Sequence, residues 1–523
     1  MTTTTDALSS TGATTLVDTL TANNVRACFA NPGTSEMHFV AALDHCPSLR
    51  PILCLFEGVA TGAADGYGRM ADWPACTLLH LGPGYANGAA NLHNARRAYT
   101  PIVNIIGDHA TYHRAYDAPL NSDIMSLARP NSVWCRSAES ASEMAAITVE
   151  AIRASLTPPN GPVSLILPAD TAWSGLRAEP PPKVTAPERA RVDSQRIEAI
   201  ARAVRAAAKP VLLLGHQAAL DAGLRQAARL EALGVRVFVD TFIARQPRGA
   251  GHFAPARLPY RAEGVKAELA GVDVMILAGT DSPVAFFAYP GQPSSFVPEG
   301  CRDISLASRT EDAVHALADL ADALEAPLRG PTQELHLPEA PSGKLTPLSV
   351  GVSIARHLPE NAIVCDDSVT SRDGVTAASS TARPHEVLAL TGGSIGIAIP
   401  LAIGAAVAKP ASKVVCLSGD GAAMYTLQGL WTMARESLDV VTIVFANRSY
   451  KILHQEFTRT GAGSPHASAA TLLNLTPPDL DWVSLSRGMG VPATRCQTAE
   501  EFENCFRRAS AEPGPCLIEA VLA

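Results

Sequence analysis

Asp420 and Asn447 are the residues whose types and spacing first suggest chemistry. Asp420 lies in the motif Gly419-Asp420-Gly421 directly after an apolar run, and Asn447 directly follows a second apolar run. Two parallel strands joined by a crossover helix would bring both residues to the carboxyl edge of one sheet, where open α/β sheets bind ligands. A carboxylate and an amide oxygen suit Mg²⁺ or Ca²⁺. The alternative is a simple turn in which Asp420 caps a helix.

Glu57 is a second candidate. It separates a strand pattern from a helical pattern over residues 58–70 that is rich in Ala and Gly. A carboxylate at a helix N-terminus is stabilised by the helix dipole, so a purely structural role is one interpretation, and acid–base chemistry is the other. The small residues of this helix would allow the close approach of a second subunit, or tight packing within one chain.

Apolar runs alternate with helical patterns along most of the chain, which predicts an α/β fold with parallel sheets covered on both faces. We expect three domains over residues 1–175, 194–325 and 346–523, because the intervening segments are rich in proline and charge and are typical of linkers. The expected strands span residues 25–30, 52–56, 76–81, 102–106 and 163–167, then 211–214, 235–239, 274–277 and 304–306, then 414–417 and 440–446.

The composition limits the class of protein. The 523 residues are 47% apolar and 18% charged, as in a globular protein. A net charge of −8 without a basic cluster argues against nucleic acid as a partner. No apolar run is long enough for a membrane span. The 11 cysteines form no CxxC pair, and the polar N-terminal segment has no signal-peptide pattern, so we expect free thiols and a cytoplasmic location.

The three-domain order and these motifs resemble the pyruvate decarboxylase and acetolactate synthase superfamily of thiamine diphosphate (ThDP) enzymes. In that family the aspartate of the GDG motif and an asparagine at a similar distance bind Mg²⁺, together with a main-chain carbonyl two residues after the asparagine. The resemblance implies metal ligands at Asp420, Asn447 and Ser449. It further implies ThDP contacts from Gly419, Asp420, Gly421, Ala422, Asn447, Ser449 and Tyr450.

The other end of the cofactor is implied by two further motifs. The sequence FEGVATGAADGYGR around Glu57 resembles the family's catalytic glutamate motif, in which the carboxylate binds the aminopyrimidine ring and promotes deprotonation of the thiazolium. In Thr391–Gly396 the resemblance assigns the Gly393 carbonyl to the aminopyrimidine amine and Ile395 to the bent cofactor conformation. Because Glu57 and Asp420 fall in different domains, it also implies a homodimer or homotetramer with active sites between subunits.

The motifs on the substrate side are most similar to those of benzoylformate decarboxylase. The resemblance assigns Thr34, in the segment NPGTSE, to the substrate carboxylate and His80 to proton transfer. A histidine in an apolar strand is otherwise a core residue. The second active-site histidine of that enzyme has no counterpart in residues 284–296, where Phe286 and Phe287 lie instead. With Ile452 and Leu453 they would form an apolar acyl pocket.

The predicted function is therefore ThDP- and Mg²⁺-dependent cleavage of a 2-oxo acid to CO₂ and an aldehyde. The alternative is a carboligase of the acetolactate synthase type, which joins the decarboxylated fragment to a second carbonyl compound. A pocket with few proton donors favours this alternative, whereas Thr34 and His80 favour the first. The sequence leaves open which 2-oxo acid is used, whether the assembly is a dimer or a tetramer, and whether a flavin or nucleotide binds the middle domain.

Overall fold

The computed structural model describes residues 10–177 and 179–522, so the first nine residues of the polar N-terminal segment lie outside it. The first unit contains a six-stranded parallel sheet in the order β3-β2-β4-β5-β7-β6, and a short antiparallel pair β1-β8. Its strands are β1 (Ser10–Thr11), β2 (Ala27–Asn31), β3 (Arg50–Leu53), β4 (Ala75–Leu79), β5 (Ile102–Asp108), β6 (Trp134–Ser137), β7 (Pro162–Pro168) and β8 (Gly175–Leu176). Its helices are α1 (Gly12–Ala22), α2 (Met37–Leu43), α3 (Glu57–Ala71), α4 (Leu81–Ala98), α5 (Ile124–Ala128), α6 (Met144–Leu156) and α7 (Ala169–Trp173).

The second unit contains a five-stranded parallel sheet in the order β12-β10-β9-β13-β14. The strands of this segment are β9 (Pro210–Leu214), β10 (Arg236–Val239), β11 (Arg245–Arg248), β12 (Ala256–Arg257), β13 (Val274–Ala278) and β14 (Arg302–Ala307). Its helices are α8 (Ser194–Ala206), α9 (Asp221–Glu231), α10 (Ala262–Glu268) and α11 (Ala313–Ala323).

The third unit contains a seven-stranded sheet in the order β11-β16-β15-β17-β18-β20-β19, parallel except for β11. Its own strands are β15 (Ala362–Asp367), β16 (His385–Ala389), β17 (Val414–Gly419), β18 (Val440–Ala446), β19 (Ala493–Cys496) and β20 (Cys516–Val521). Its helices are α12 (Pro347–His357), α13 (Arg372–Ala378), α14 (Ala398–Ala408), α15 (Asp420–Ala423), α16 (Gly429–Arg435), α17 (Lys451–Arg459), α18 (Ala467–Thr471), α19 (Trp482–Gly488) and α20 (Ala499–Ala511).

Burial explains why these apolar runs form parallel sheets. Every residue of the strands β5, β7 and β18 is buried, as expected where helices cover both faces of a sheet. The predicted α/β fold with parallel sheets is confirmed. Among the described residues, which include every cysteine, all the thiols are free, and no helix is both long and apolar enough to cross a membrane.

Two local predictions were wrong, and one strand was not predicted. The strand expected over residues 76–81 ends at Leu79, and the following Gly82-Pro83-Gly84 lies in the first turn of α4, where proline loses no helical hydrogen bond. The helix expected after the GDG motif is divided into α15 and α16. The strand β11 was not predicted. It belongs to the middle segment of the chain, yet it pairs with β16 at the edge of the third sheet.

Helices α3 and α14 join the first and third units through small residues. A Cβ atom built on Gly66 would lie 2.2 Å from the carbonyl oxygen of Leu401, and one on Gly404 would lie 1.9 Å from that of Ala63. Only glycine permits this backbone approach. The sequence left open whether the small residues of α3 face a second subunit or their own chain, and at these positions they pack within the chain.

Candidate active site

Asp420 and Asn447 meet at the carboxyl edge of the third sheet, as predicted. Strands β17 and β18 are parallel neighbours; Asp420 follows the first and Asn447 the second. Asp420 accepts hydrogen bonds from the main-chain amides of Gly421 (2.9 Å) and Arg448 (2.6 Å). The side-chain oxygen of Asn447 accepts one from the amide of Ser449 (3.0 Å). Main-chain donors thus fix these oxygens in place.

The Asp420 carboxylate is buried without a cationic side chain beside it. Burial raises its pKa, and the amide of Arg448 is the largest opposing influence. The Arg448 guanidinium pairs with Asp479 instead (3.0 Å). In the described part of the chain, no group of three or more His, Cys, Asp or Glu side chains could hold a metal ion. A cation here would therefore rely on Asp420 together with amide and main-chain oxygens, which are ligands suited to Mg²⁺ or Ca²⁺.

The glycines of the GDG motif have different surroundings. A Cβ built on Gly419 would meet no atom within 4 Å, so this position faces open space at the sheet edge. A Cβ on Gly421 would lie 2.4 Å from the Tyr450 ring, so that ring packs directly against the Gly421 backbone. Ser449, which precedes Tyr450, forms an isolated antiparallel β-bridge with Asn474. Gly419 leaves room for a ligand, and Tyr450 bounds the neighbouring space together with Ala422, which is buried in α15.

Asp367, which the sequence did not single out, holds the loop 391–396 against the third sheet. Its Oδ2 accepts hydrogen bonds from the amides of Gly396 (2.9 Å) and Ala398 (3.1 Å). Gly393 and Gly396 have φ values of +81° and +89°, which favour glycine. Asp367 is fully buried, and this burial raises its pKa to about 6.

The same loop is also bound by the first unit. Asn94 in α4 accepts hydrogen bonds from the amides of Gly392 (3.1 Å) and Ser394 (3.3 Å) and donates one to the Ser394 carbonyl (2.8 Å). Ile395 is partly buried against the main core. A Cβ on Gly393 would lie 2.8 Å from the Phe286 ring. The predicted pyrimidine contact at Gly393 and the predicted pocket residue Phe286 are therefore neighbours.

Glu57 and His80 meet at the carboxyl edge of the first sheet. Glu57 is the first residue of α3, and His80 lies between β4 and α4 rather than within the strand. A Cβ on Gly84 would lie 3.1 Å from Glu57 Oε1 and 3.3 Å from His80 Cβ, so both side chains flank this glycine. Glu57 is 6% exposed and accepts a hydrogen bond from the Asn87 amide (3.0 Å).

His80 is held by Glu36, a residue that sequence reasoning missed. His80 Nδ1 lies 2.9 Å from Glu36 Oε2, and Glu36 is 1% exposed. Glu36 also accepts hydrogen bonds from the Ser35 hydroxyl and from the Gly33 amide (2.7 Å). The sequence did contain a signal for Glu36, because it is the acidic residue of NPGTSE and lies three positions after Gly33. Thr34 lies in the same segment with an exposed side chain.

The predicted pocket residues lie on two segments. The rings of Phe286 and Phe287 are in edge contact (4.7 Å between centroids), and Phe286 also contacts Phe242 (5.0 Å). Ile452 and Leu453 lie in α17, where Leu453 is 44% exposed. The two segments are joined by a hydrogen bond from the Tyr289 hydroxyl to Glu456 (2.7 Å).

Comparison with known proteins identifies the family. The model of the N-terminal TPP binding domain of thiamine pyrophosphate enzymes matches residues 10–127, and that of the C-terminal TPP binding domain matches residues 374–520. A Mycobacterium tuberculosis protein named "Putative acetolactate synthase large subunit IlvX" is 48% identical over 98% of this chain and 99% of its own length. The chain is a thiamine pyrophosphate enzyme.

Members of this enzyme family with different reactions are similar to the chain. Benzoylformate decarboxylase of Pseudomonas aeruginosa is 29% identical over 94% of the chain and 95% of its own length. The structure of a 4-hydroxybenzoylformate decarboxylase from Rhodococcus jostii superposes with a TM-score of 0.86 at 24% identity, covering 98% of this chain and 99% of that one, and shows the shared fold. The predicted resemblance is confirmed, and the chain belongs to a family with decarboxylase and acetolactate synthase members.

In this thiamine pyrophosphate enzyme the first and third units are in contact through the loop 391–396, which Asn94 binds. Among the described residues, no hydrogen bond or ion pair links Glu57 or His80 to Asp420, Asn447 or the loop 391–396. A cavity of about 420 Å³ is lined by Phe286, Thr391 and Gly392, but by neither Glu57 nor Asp420. Direct hydrogen bonds thus do not connect Glu57 or His80 to Asp420 or Asn447 within the described part of the chain.

Proposed function

We propose that this thiamine pyrophosphate enzyme decarboxylates a 2-oxo acid to an aldehyde, with Mg²⁺ as the second cofactor. The observation that carries the proposal is the placement of His80, which is bound by the buried Glu36 and lies beside Glu57. An imidazole held through Nδ1 keeps Nε2 available for proton transfer. A decarboxylase needs such a donor, because a proton must replace CO₂ on carbon before the aldehyde can leave.

The residues of the third sheet edge fit the diphosphate and metal end of ThDP. Gly419 faces open space, and Asp420 and Asn447 present fixed oxygens that are ligands suited to Mg²⁺, with the Ser449 carbonyl as the third proposed ligand. Gly421, Ala422 and Tyr450 would bound the diphosphate. When bound, ThDP supplies an electron sink for cleavage of the bond next to a carbonyl.

Residues of the first sheet edge would manage the protons. The Glu57 carboxylate, oriented by Asn87, would hold a proton at the pyrimidine end of the cofactor. The Gly393 carbonyl would accept a hydrogen bond from the exocyclic amine, and Ile395 would support the cofactor from below. The exposed Thr34 would bind the substrate carboxylate through its hydroxyl.

The second candidate is carboligation, and two observations favour it. The 48% identical relative carries the name of an acetolactate synthase. The segment 284–296 contains Phe286 and Phe287, which are 41% and 53% exposed. A second proton donor at this place would speed release of the aldehyde, and these apolar side chains cannot supply one. An apolar wall with few donors would let a second carbonyl compound compete with the proton.

The proposal extends to assembly and location. We propose a homodimer or homotetramer in which Glu57 of one subunit faces Asp420 of another, as the resemblance implies; among the described residues no hydrogen bond joins the two within one chain. The free thiols of this chain are compatible with the reducing cytoplasm, where we place the enzyme. Its partner is then a small 2-oxo acid rather than nucleic acid or a membrane.

The test is a product profile. The purified protein with ThDP and Mg²⁺ is incubated with pyruvate, benzoylformate and branched 2-oxo acids, and the products are identified by NMR. Aldehyde and CO₂ are expected. Acetolactate or another acyloin as the main product would replace the proposal with the second candidate, and failure to consume any of these acids would overturn both.

A further inference from the structure

A second cluster of buried polar side chains lies where the middle segment meets the third sheet. Gln246 and Arg248 lie two residues apart on β11, and Arg248 pairs in register with His385 on β16. Ala362 on β15 pairs with His385, so Asp366, four residues later, points to the same face of the sheet. Asp367 points to the opposite face, toward the loop 391–396. The cluster is therefore on the other side of the sheet from the loop 391–396.

Several polar atoms of this cluster have no partner. They are both amide atoms of Gln246, Nε of Arg248, Nε2 of His385 and Nε of Arg257, which lies on β12 of the second sheet but close enough to Arg248 for their charges to repel. Gln246 is 1% exposed, His385 3% and Arg248 8%. Buried polar atoms in folded proteins are nearly always hydrogen-bonded. A concentration of unpaired atoms at one place points to a polar group that the chain itself does not supply.

The charges show which kind of group is missing. Arg248 donates a hydrogen bond to the Thr376 carbonyl (3.1 Å), but among the described residues neither Arg248 nor Arg257 lies within ion-pair distance of a carboxylate. The nearby carboxylate of Asp366 forms its ion pair with Arg372 (2.8 Å). Neither guanidinium group therefore has a direct ion-pair partner, although the carboxylates of Asp366 and Asp373 lie near enough to Arg257 to attract its charge.

The pKa shifts of the individual groups also indicate an excess of positive charge in this cluster. Burial, followed by repulsion from Arg372 and Arg248, lowers the pKa of Arg257 to about 9, so the group is still charged at neutral pH. Burial lowers the pKa of His385 to about 4, so this imidazole is neutral there and adds no further positive charge. The three guanidinium groups of Arg248, Arg257 and Arg372 outnumber the two carboxylates of Asp366 and Asp373, so the cluster carries an excess of positive charge.

We propose that Arg248, Arg257 and Gln246 form a binding site for a small oxyanion of the phosphate class. Guanidinium groups match phosphate oxygens through paired N–H donors, and the Gln246 amide adds a neutral donor. Arg257 is partly exposed, and the adjacent Ala256 and nearby Asp373 are exposed, so the site opens to solvent on this side. The occupant is either free phosphate or the phosphate group of a metabolite.

The test measures phosphate binding to the holoenzyme. The protein is saturated with ThDP and Mg²⁺, which fills the proposed diphosphate site, and is dialysed to equilibrium against radiolabelled inorganic phosphate at constant ionic strength. One saturable site per chain is expected. Competition by glycerol phosphate would identify a site that accepts phosphate esters, and its absence would restrict the site to free phosphate. No saturable binding by the wild-type protein would overturn the proposal.

Variants assign the binding to this cluster. R257M and R248M should each weaken phosphate binding by at least about tenfold, as loss of a charge-assisted hydrogen bond predicts. R257K is the milder variant in case R257M does not fold, as judged by circular dichroism. The control is R202M, because the Arg202 side chain is 68% exposed on α8 and lies only 3.8 Å from the exposed Glu198. Unchanged phosphate affinity in folded R257M or R257K would overturn the proposal, whatever the enzyme's activity.

Discussion

The carboxyl edges of the first and third sheets hold their polar side chains in different ways. At the first edge, side chains bind side chains: His80 binds Glu36 (2.9 Å), and Glu57 binds Asn87 (3.0 Å). At the third edge, Asp420 and Asn447 accept hydrogen bonds from main-chain amides only. Titratable side chains in contact can pass protons, whereas oxygens fixed by the backbone can bind a cation. The first edge is therefore suited to proton transfer, and the third edge to binding a cation.

The largest expected effect tests the first edge. E57Q keeps the size and polarity of the side chain but removes its acid–base function, so kcat should fall by about 10³-fold. Circular dichroism should be unchanged. E198Q is the control, because Glu198 is 70% exposed on α8. A kcat of E57Q equal to that of the control would show that Glu57 is not the catalytic carboxylate.

The next effect separates proton transfer from cofactor binding at that edge. H80A should slow aldehyde formation by about 10²-fold and raise the share of acyloin among the products. Without His80, the carbon that has lost CO₂ is protonated more slowly, so a second carbonyl compound can react with it. E36Q, which acts through His80, should change the product ratio in the same direction but less, and E36D should restore part of it. Product ratios are measured by NMR. An unchanged ratio in H80A would remove His80 from the proton transfer step.

A change at the third edge should affect cofactor affinity. D420A should weaken ThDP binding by at least about 10–100-fold at fixed Mg²⁺, because a metal site loses this much affinity even when only a group that supports a ligand is removed. Excess Mg²⁺ should recover part of the loss. The affinity is measured by quenching of intrinsic fluorescence, with D319A on α11, an exposed position, as the control. If D420A bound ThDP as tightly as D319A, the metal assignment would be wrong.

The smallest effect concerns Asp367, which binds the loop 391–396 and has a pKa raised to about 6 by burial. Between about pH 4 and pH 6 the native chain holds a proton on Asp367 that the unfolded chain has released. The free energy of unfolding should therefore fall as pH rises through this window, by about 1–3 kcal/mol, and level off above it. The D367N variant should lack this pH-dependent part of the free energy of unfolding, which is measured by urea titrations at several pH values. An identical pH dependence in both proteins would contradict the assignment.

The sequence predicted most of the elements and the sheet edges at which Asp420, Asn447 and Glu57 lie. Long apolar runs such as β18 predict buried parallel strands because helices cover both faces. The strand β11 (Arg245–Arg248) was missed because its sequence RQPR has no apolar pattern, and its pairing with β16 depends on tertiary contacts. Glu36 and Asp367 were missed for a related reason. Their importance comes from burial beside His80 and beside the loop amides, which no local pattern encodes.

The most direct test of the account is complementation between two inactive chains. If Glu57 of one subunit faces Asp420 of another, a dimer of one E57Q chain and one D420A chain contains one site with both residues intact. Co-expression of equal amounts should then restore about a quarter of the wild-type activity per site, since half of the dimers are mixed. Activity that stays at the level of the separate variants would show that the two edges do not combine across subunits, and would contradict the account.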